Sequence, residues 1–184
     1  MVDFTLYDIE TAPAEARERL QAAQDKMGFV PNLFAKMAEA PATIEAYQTL
    51  DAIFAKTSLS AVEREVVLLS TSVYNECNFC VAAHSGRARQ AGMNDADLEA
   101  LRNGEPLPDS RLDALARFTR AVVDERGWVS DETVQQFIDA GFDRQKVLEV
   151  LIGVSIKTLS NYTNHIAGTP LNKQLEPLAW NRAA

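Results

Sequence analysis

Apolar residues return every third or fourth position along this chain. No alternating apolar and polar run stands between turn residues, so the pattern predicts helices throughout and no sheet. The first helix starts at Pro13 and stops at Gly28, and Phe29-Val30-Pro31-Asn32 makes a turn. A short helix follows over Leu33 to Glu39. Pro41 then opens another that runs to about Lys56, with Ile44, Tyr47, Leu50, Ile53 and Phe54 as its apolar stripe. Ser60 reads as an N-cap, and Glu63 three residues on completes a capping box. The next helix carries Val66, Val67, Leu68, Leu69 and Val73 around most of its circumference, which marks it as central and buried, with Glu65 entering the core from its edge.

Asn75 predicts a break, after which a fresh helix runs from Cys77 to Gln90 and ends at Gly92, so both cysteines fall in its first turn. Further helices are expected over Asp95 to Arg102, Arg111 to Arg126, Ser130 to Ala140 and Arg144 to about Ile166. The loops at Asn103-Gly104-Glu105-Pro106 and Gly141 separate them. There is no repeat of fixed period and no low-complexity tract. The expectation is an all-α protein in which residues 1–184 form a single helical domain.

A chain of 184 residues buries a sufficient core without disulfide or metal staples, so its two cysteines are not needed as scaffolding. The first residues have no basic region followed by an apolar one, and no apolar run approaches the length of a membrane span. The expectation is a soluble, cytoplasmic protein. A net charge of -8 repels phosphate backbones and anionic bilayers, which argues against nucleic acid and membrane as partners. In a reducing compartment a C-x-x-C pair is mostly thiol at rest, and its disulfide is usually transient and catalytic.

The two cysteines and one of the two histidines sit together in Cys77-Asn-Phe-Cys80-Val-Ala-Ala-His84. At helical spacing the three side chains stack on one face. A thiolate is the reactive form, and a free thiol with a pKa of ~8.5 is only slightly ionised at neutral pH. The helix N-terminus, His84, and the hydrogen-bonding partner of His84 can each lower it, which makes Cys80 the better nucleophile. Cys77, nearer the N-terminus, is placed to attack an oxidised Cys80 and form a disulfide. Glu65 lies too far from Cys77 for contact along one helix, but a break near Asn75 folds its carboxylate back to orient His84 and raise its basicity.

Other readings of the same residues stay open. Cys77, Cys80, His84 and His165 make up a Cys2His2 metal set, or the cysteines pack as small hydrophobes. Glu65 alone is compatible with a solvated residue near a helix start and His165 with one that balances a helix end, while the polar run Asn161-Tyr162-Thr163-Asn164-His165-Ile166-Ala167-Gly168 is open to lining the pocket or meeting a second subunit. Tyr74 and Phe79 wall a hydrophobic substrate pocket or belong to the core, and Trp128 and Trp180 read as packing or interface residues.

The spacing Glu65-x11-Cys77-x2-Cys80-x3-His84 resembles the signature of the alkylhydroperoxidase D-like proteins within the carboxymuconolactone decarboxylase superfamily. Gly28-Phe29-Val30-Pro31-Asn32-Leu33-Phe34, Pro41, Leu59-Ser60 and Glu63-Arg64-Glu65 look like flanking segments of its peroxidase-related branch. The resemblance is good from Gly28 to Leu101 and looser elsewhere. It implies an all-helical alkylhydroperoxidase D-like fold, self-association (a dimer, trimer or hexamer), and a thiol peroxidase that reduces organic hydroperoxides.

On the family pattern Cys80 is the peroxidatic residue, Cys77 resolves it, and Glu65 and His84 form a proton relay. The disulfide would be reduced by a lipoyl-type or thioredoxin-like dithiol partner, with no bound cofactor and no metal. One departure stands out: the family places a second histidine just before the peroxidatic cysteine, and here that position is Phe79. The alternatives are a redox-responsive oligomeric interaction protein with little turnover, and a lactone decarboxylase-type enzyme, which the C-x-x-C pair argues against.

Overall fold

The computed structural model describes residues 2–181. Among the described residues nine α-helices follow one another: α1 (Ala14–Met27), α2 (Asn32–Met37), α3 (Pro41–Phe54), α4 (Ala61–Tyr74), α5 (Asn78–Gln90), α6 (Asp95–Asn103), α7 (Ser110–Asp124), α8 (Asp131–Asp139) and α9 (Arg144–Ala167), then a 3-10 turn over Lys173–Leu178. No strand occurs among the described residues. The all-α, single-domain architecture read from the sequence is the one observed, with helix ends displaced by one or two residues.

Helix α4 is the centre of the fold. It packs against α5, α6, α7 and α9, and Val66, Val67, Leu68 and Leu69 are all within 1% of complete burial. Its start is fixed locally: the Ser60 hydroxyl accepts from the Glu63 amide, and the Glu63 carboxylate accepts from the Ser60 amide. The same carboxylate takes a bond from Arg111 of α7, whose guanidinium lies 4.0 Å over the Phe142 ring. Phe142 continues the stack of Phe118 and Phe137, with centroids 4.3 Å apart at each step. One local cap is thereby tied to the α7–α8 side of the core.

Several expectations shift in detail. On α3, Ile44, Tyr47 and Phe54 are buried as the stripe requires, but Ile53 is 47% exposed. Each helical residue turns about 100°, and α3, unlike the enclosed α4, has an open side, so Phe54 faces inward while Ile53 beside it faces out. Cys77 is the N-cap of α5 and not part of its first turn. The break ahead of it is sharp: Glu76 takes a left-handed φ of 55° and the Cys77 amide reaches back to the Ser72 carbonyl at 2.9 Å. Trp180 is a packing residue, its indole N–H donating to the Arg102 carbonyl at 2.9 Å, whereas Trp128 is 88% exposed. The 3-10 turn over Lys173–Leu178 lacks an apolar period long enough to announce it.

Helix α9 crosses both α3 and α4 and lies close to them at Gly153. A Cβ at that position would stand 2.6 Å from Val67 Cγ1 and 2.8 Å from Phe54 Cζ. Neither neighbour has room to retreat, because both are at most 1% exposed. Gly153→Ala is expected to destabilise the protein by about 1–3 kcal/mol, the usual result of overpacking a filled core. A denaturant-unfolding midpoint checks this, and an unchanged midpoint would contradict so close an approach.

Candidate functional site

Helices α4 and α5 form an antiparallel pair about the break at Asn75, and Glu65 and His84 lie almost equally far from it along the chain. The fold-back therefore brings them together. The His84 Nδ1 lies 2.8 Å from Glu65 Oε2, with both side chains buried. On the other side of the ring, His84 Nε2 is 2.7 Å from the Nζ of Lys157, which comes from α9 and has no exposed surface.

A protonated lysine can only donate, so His84 Nε2 is the acceptor, and the ring proton sits on Nδ1 and is given to Glu65. Burial and the neighbouring Lys157 charge push the His84 pKa down, against the pull of Glu65, so the imidazole is held neutral. Burial alone would raise the pKa of Glu65. His84, Arg87 at 3.3 Å from Oε1, and Lys157 outweigh it and keep the carboxylate below its usual range. Arg87 also approaches Asp51 of α3 at 3.6 Å.

Both cysteine thiols are buried, Cys77 to 1% exposure and Cys80 to 2%. They are free, and the side-chain amide of Asn164 on α9 reaches both sulfurs, its Nδ2 lying 3.4 Å from Cys77 Sγ and 3.3 Å from Cys80 Sγ. Ser160, one turn earlier on α9, has its hydroxyl 3.8 Å from Cys80 Sγ. The two thiols are strongly unequal. Burial works against a charge on Cys80, but the Cys77 thiol as donor, the Lys157 ammonium and Ser160 together hold it well below the ordinary thiol range. Cys77 is pushed far up, first by giving its proton to Cys80 in a hydrogen bond, then by burial and by the Cys80 charge. The electrostatics therefore favour the thiolate at Cys80 and the protonated form at Cys77. In return, the Cys80 charge keeps Lys157 protonated although burial favours its neutral form.

The sequence brings Glu65, Cys77, Cys80 and His84 to one site, but with a different division of labour. Both hydrogen bonds of the His84 ring go to Glu65 and Lys157, and the principal cation acting on Cys80 is Lys157. Phe79 is buried within the core cluster. Tyr74 is 41% exposed and its hydroxyl donates to Asp124 of α7. His165 is exposed in the last turn of α9, and the residue of that turn which reaches the thiols is Asn164. No group of three or more His, Cys, Asp or Glu side chains among the described residues is arranged to hold a metal ion.

Lys157 and Ser160 are the site residues that sequence reasoning missed, and Asn161 and Asn164 belong to the polar run around His165 that it left open as a pocket lining or a subunit contact. Their signal was present: spaced i, i+3, i+4 and i+7, they form one polar stripe on the long α9, and all four are buried. A buried polar stripe calls for a partner in the core.

A family model, the carboxymuconolactone decarboxylase family, matches residues 38–121, the span that holds Glu65, Cys77, Cys80 and His84. A second, a fungal ubiquitin-associated domain, matches residues 127–175. Those residues run through α8 and α9, and α9 packs on α2, α3 and α4 within the common core. No curated protein matches the chain.

Among solved structures, an alkylhydroperoxidase AhpD core, an uncharacterized peroxidase-related protein from Ralstonia eutropha JMP134, aligns with a TM-score of 0.82 and 25% identity, covering 94% of this chain and 93% of that one. An uncharacterized peroxidase-related protein from Silicibacter sp. TM1040 aligns at 0.79 with 20% identity, covering 95% and 92%. The debrominase Bmp8, as a cysteine-to-alanine variant in complex with 2,3,4-tribromopyrrole, aligns at 0.77 with 13% identity, covering 97% and 95%. At the last two identities the likeness is one of fold. The fold and site are those of an all-helical C-x-x-C domain. Over residues 38–121 the chain is similar to the carboxymuconolactone decarboxylase family, and its fold is that of the alkylhydroperoxidase AhpD core.

Alkylation with iodoacetamide checks the charge assignment. Cys80 is expected to react at pH values below the ordinary thiol range while Cys77 stays unreactive. Lys157→Met, which removes the opposing charge, is expected to raise the Cys80 midpoint by about 1–3 pH units. An unshifted midpoint would show that Lys157 does not sustain the thiolate.

Proposed function

We propose that the protein is a dithiol peroxidase that reduces hydroperoxides through a Cys77/Cys80 thiol-disulfide cycle. The observation that carries this reading is the pair of unequal thiols held by one amide: Asn164 Nδ2 lies 3.4 and 3.3 Å from the two sulfurs, with only Cys80 favoured as thiolate.

In the first step the Cys80 thiolate attacks the terminal oxygen of R–O–O–H. An S–O bond forms, the O–O bond breaks, and Cys80 becomes a sulfenic acid. The departing RO⁻ takes a proton from the Lys157 ammonium and leaves as ROH. Cys77 then attacks the sulfenic sulfur, its thiol proton leaving with the hydroxyl as water, and the disulfide closes. A dithiol reductant of lipoyl or thioredoxin type returns two electrons and two protons, one to Cys77 and one to Lys157. The pair is then again one thiol and one thiolate, and the protons balance over the cycle.

In this reading Glu65 and His84 position Lys157. Glu65 fixes the tautomer of His84, and the free lone pair of Nε2 aims the ammonium. The site asks for no cofactor or metal. Phe79, where the family has a histidine, adds no cation, and Lys157 from α9 supplies one instead. The reductant class and assembly with further copies of the chain come to this reading from the family.

Stopped-flow mixing of the prereduced protein with cumene hydroperoxide or hydrogen peroxide, with free thiols counted before and after, tests the cycle. Wild type is expected to lose two thiols quickly. Cys80→Ser is expected to lose none above the slow background of an ordinary thiol, and Cys77→Ser to stop after one turnover at the sulfenic acid. Equal thiol loss in both single mutants would refute the assignment.

A further inference from the structure

Two atoms of the buried stripe on α9 have no hydrogen-bonding partner among the described residues. Asn164 spends its Nδ2 on the two sulfurs and leaves Oδ1 buried and unpaired. Asn161, fully buried, accepts at Oδ1 from Asn75 Nδ2 at 3.0 Å and leaves its own Nδ2 buried and unpaired. The two residues are i, i+3 neighbours, so their side chains lie on one face of the helix. An unpaired polar atom in a core is destabilising, and such atoms are few in native proteins. Here an unpaired acceptor and an unpaired donor stand one turn apart, and the acceptor belongs to the amide that holds the reactive sulfurs. Together they match a ligand that has one O–H to give and one oxygen to receive.

We propose that Asn161 and Asn164 form an oxygen seat for the Cys80 centre, whose ligand is the –O–O–H group of a hydroperoxide. This rests on the peroxidase reading and deepens it. Asn164 Oδ1 accepts the terminal O–H, which turns that oxygen toward Cys80 Sγ, and Asn161 Nδ2 donates to the inner oxygen, where negative charge gathers as the O–O bond breaks. The attacked oxygen keeps its hydrogen throughout. When the S–O bond has formed, Asn164 Oδ1 holds the same O–H, now in the sulfenic acid, while its Nδ2 keeps Cys77 alongside for the closing attack. The inner oxygen departs as RO⁻ and is protonated by Lys157. Both amides are positioned before substrate arrives, so the seat favours the transition state without reorganisation.

The test uses the full-length Cys77→Ser protein, in which the sulfenic acid at Cys80 persists and is trapped with dimedone. Two rates are measured at one pH: sulfenic acid formation with hydrogen peroxide, and alkylation of Cys80 by iodoacetamide. Both need the thiolate and access to it, but only the first needs the oxygen seat. Asn161→Asp keeps an acceptor for Asn75 and replaces the unpaired donor with a carboxyl oxygen; Asn164→Leu removes the unpaired acceptor together with the Nδ2 that reaches the sulfurs, and the alkylation rate records what that loss does to the thiolate. Each is expected to lower the ratio of peroxide rate to alkylation rate by about tenfold, the effect of losing one hydrogen bond in the transition state. Asn161→Leu, with its thermal midpoint measured alongside, provides a second variant at that position.

An unchanged ratio in folded variants would overturn the seat and leave the peroxidase reading standing. A Cys77→Ser parent whose Cys80 reacts with peroxide no faster than an ordinary thiol of equal thiolate fraction would overturn both.

Discussion

Lys157 has no exposed surface, and an ammonium taken out of water is stable only where opposite charge and hydrogen-bond acceptors replace the solvent. In this fold the acceptor is His84 Nε2 and the nearby negative charge is that of Cys80. Around this pair opposite charges alternate: Lys157 is positive, Cys80 and Glu65 are negative, His84 between them is neutral, and the exposed Arg87 meets Glu65 from the solvent side. Each ionisation state depends on the next. The thiolate keeps the lysine protonated and the lysine keeps the thiolate deprotonated. The carboxylate fixes the histidine tautomer that lets the histidine accept from the lysine.

That mutual dependence ties redox chemistry to proton movement. Closing a disulfide between Cys77 and Cys80 removes the negative charge next to Lys157, and the lysine then has a burial penalty with no thiolate to offset it. Loss of its proton relieves the penalty, and in the proposed cycle the same proton is the one a departing alkoxide requires. On that proposal a reduced site is poised with its acid charged, and an oxidised site with its acid spent. The coupling is electrostatic and needs no large movement of the helices.

The scaffold that holds this balance is built from two kinds of contact. The α4/α5 hairpin is local: the capping box at Ser60 and Glu63 sets where α4 begins, and the left-handed turn at Glu76 sets where α5 departs. These fix the depth of Glu65 and His84 along the pair. The crossing of α9 is long-range. It depends on a glycine at position 153, where Val67 and Phe54 leave no space for a side chain, and Lys157 follows one turn later. The apolar contact therefore sets how far the polar stripe can reach into the hairpin. The same architecture is shared with a debrominase at 13% identity, so the scaffold by itself does not dictate which chemistry the thiols perform.

The sequence by itself determined the helices, their caps and the C-x-x-C motif, because each depends on residues within a turn or two of one another. Ser60 and Glu63, the break at Asn75, and the stacking of Cys80 and His84 on one face belong to that class. It also indicated the meeting of Glu65 with His84, since one break between two helices leaves the chain little choice but to return along itself.

Only the tertiary structure decided which atoms surround the thiols. Lys157, Ser160, Asn161 and Asn164 are some eighty residues from the cysteines in the chain, and their spacing showed a buried polar face without naming its partner. Whether His84 would turn its free nitrogen to a cysteine or to a lysine depended on how α9 crosses the hairpin. The same crossing left His165 exposed and put Asn164 against the sulfurs. Local periodicity specifies the face a residue occupies on its own helix; the partner of that face depends on how two helices pack, which is set by the shapes of side chains distant in sequence.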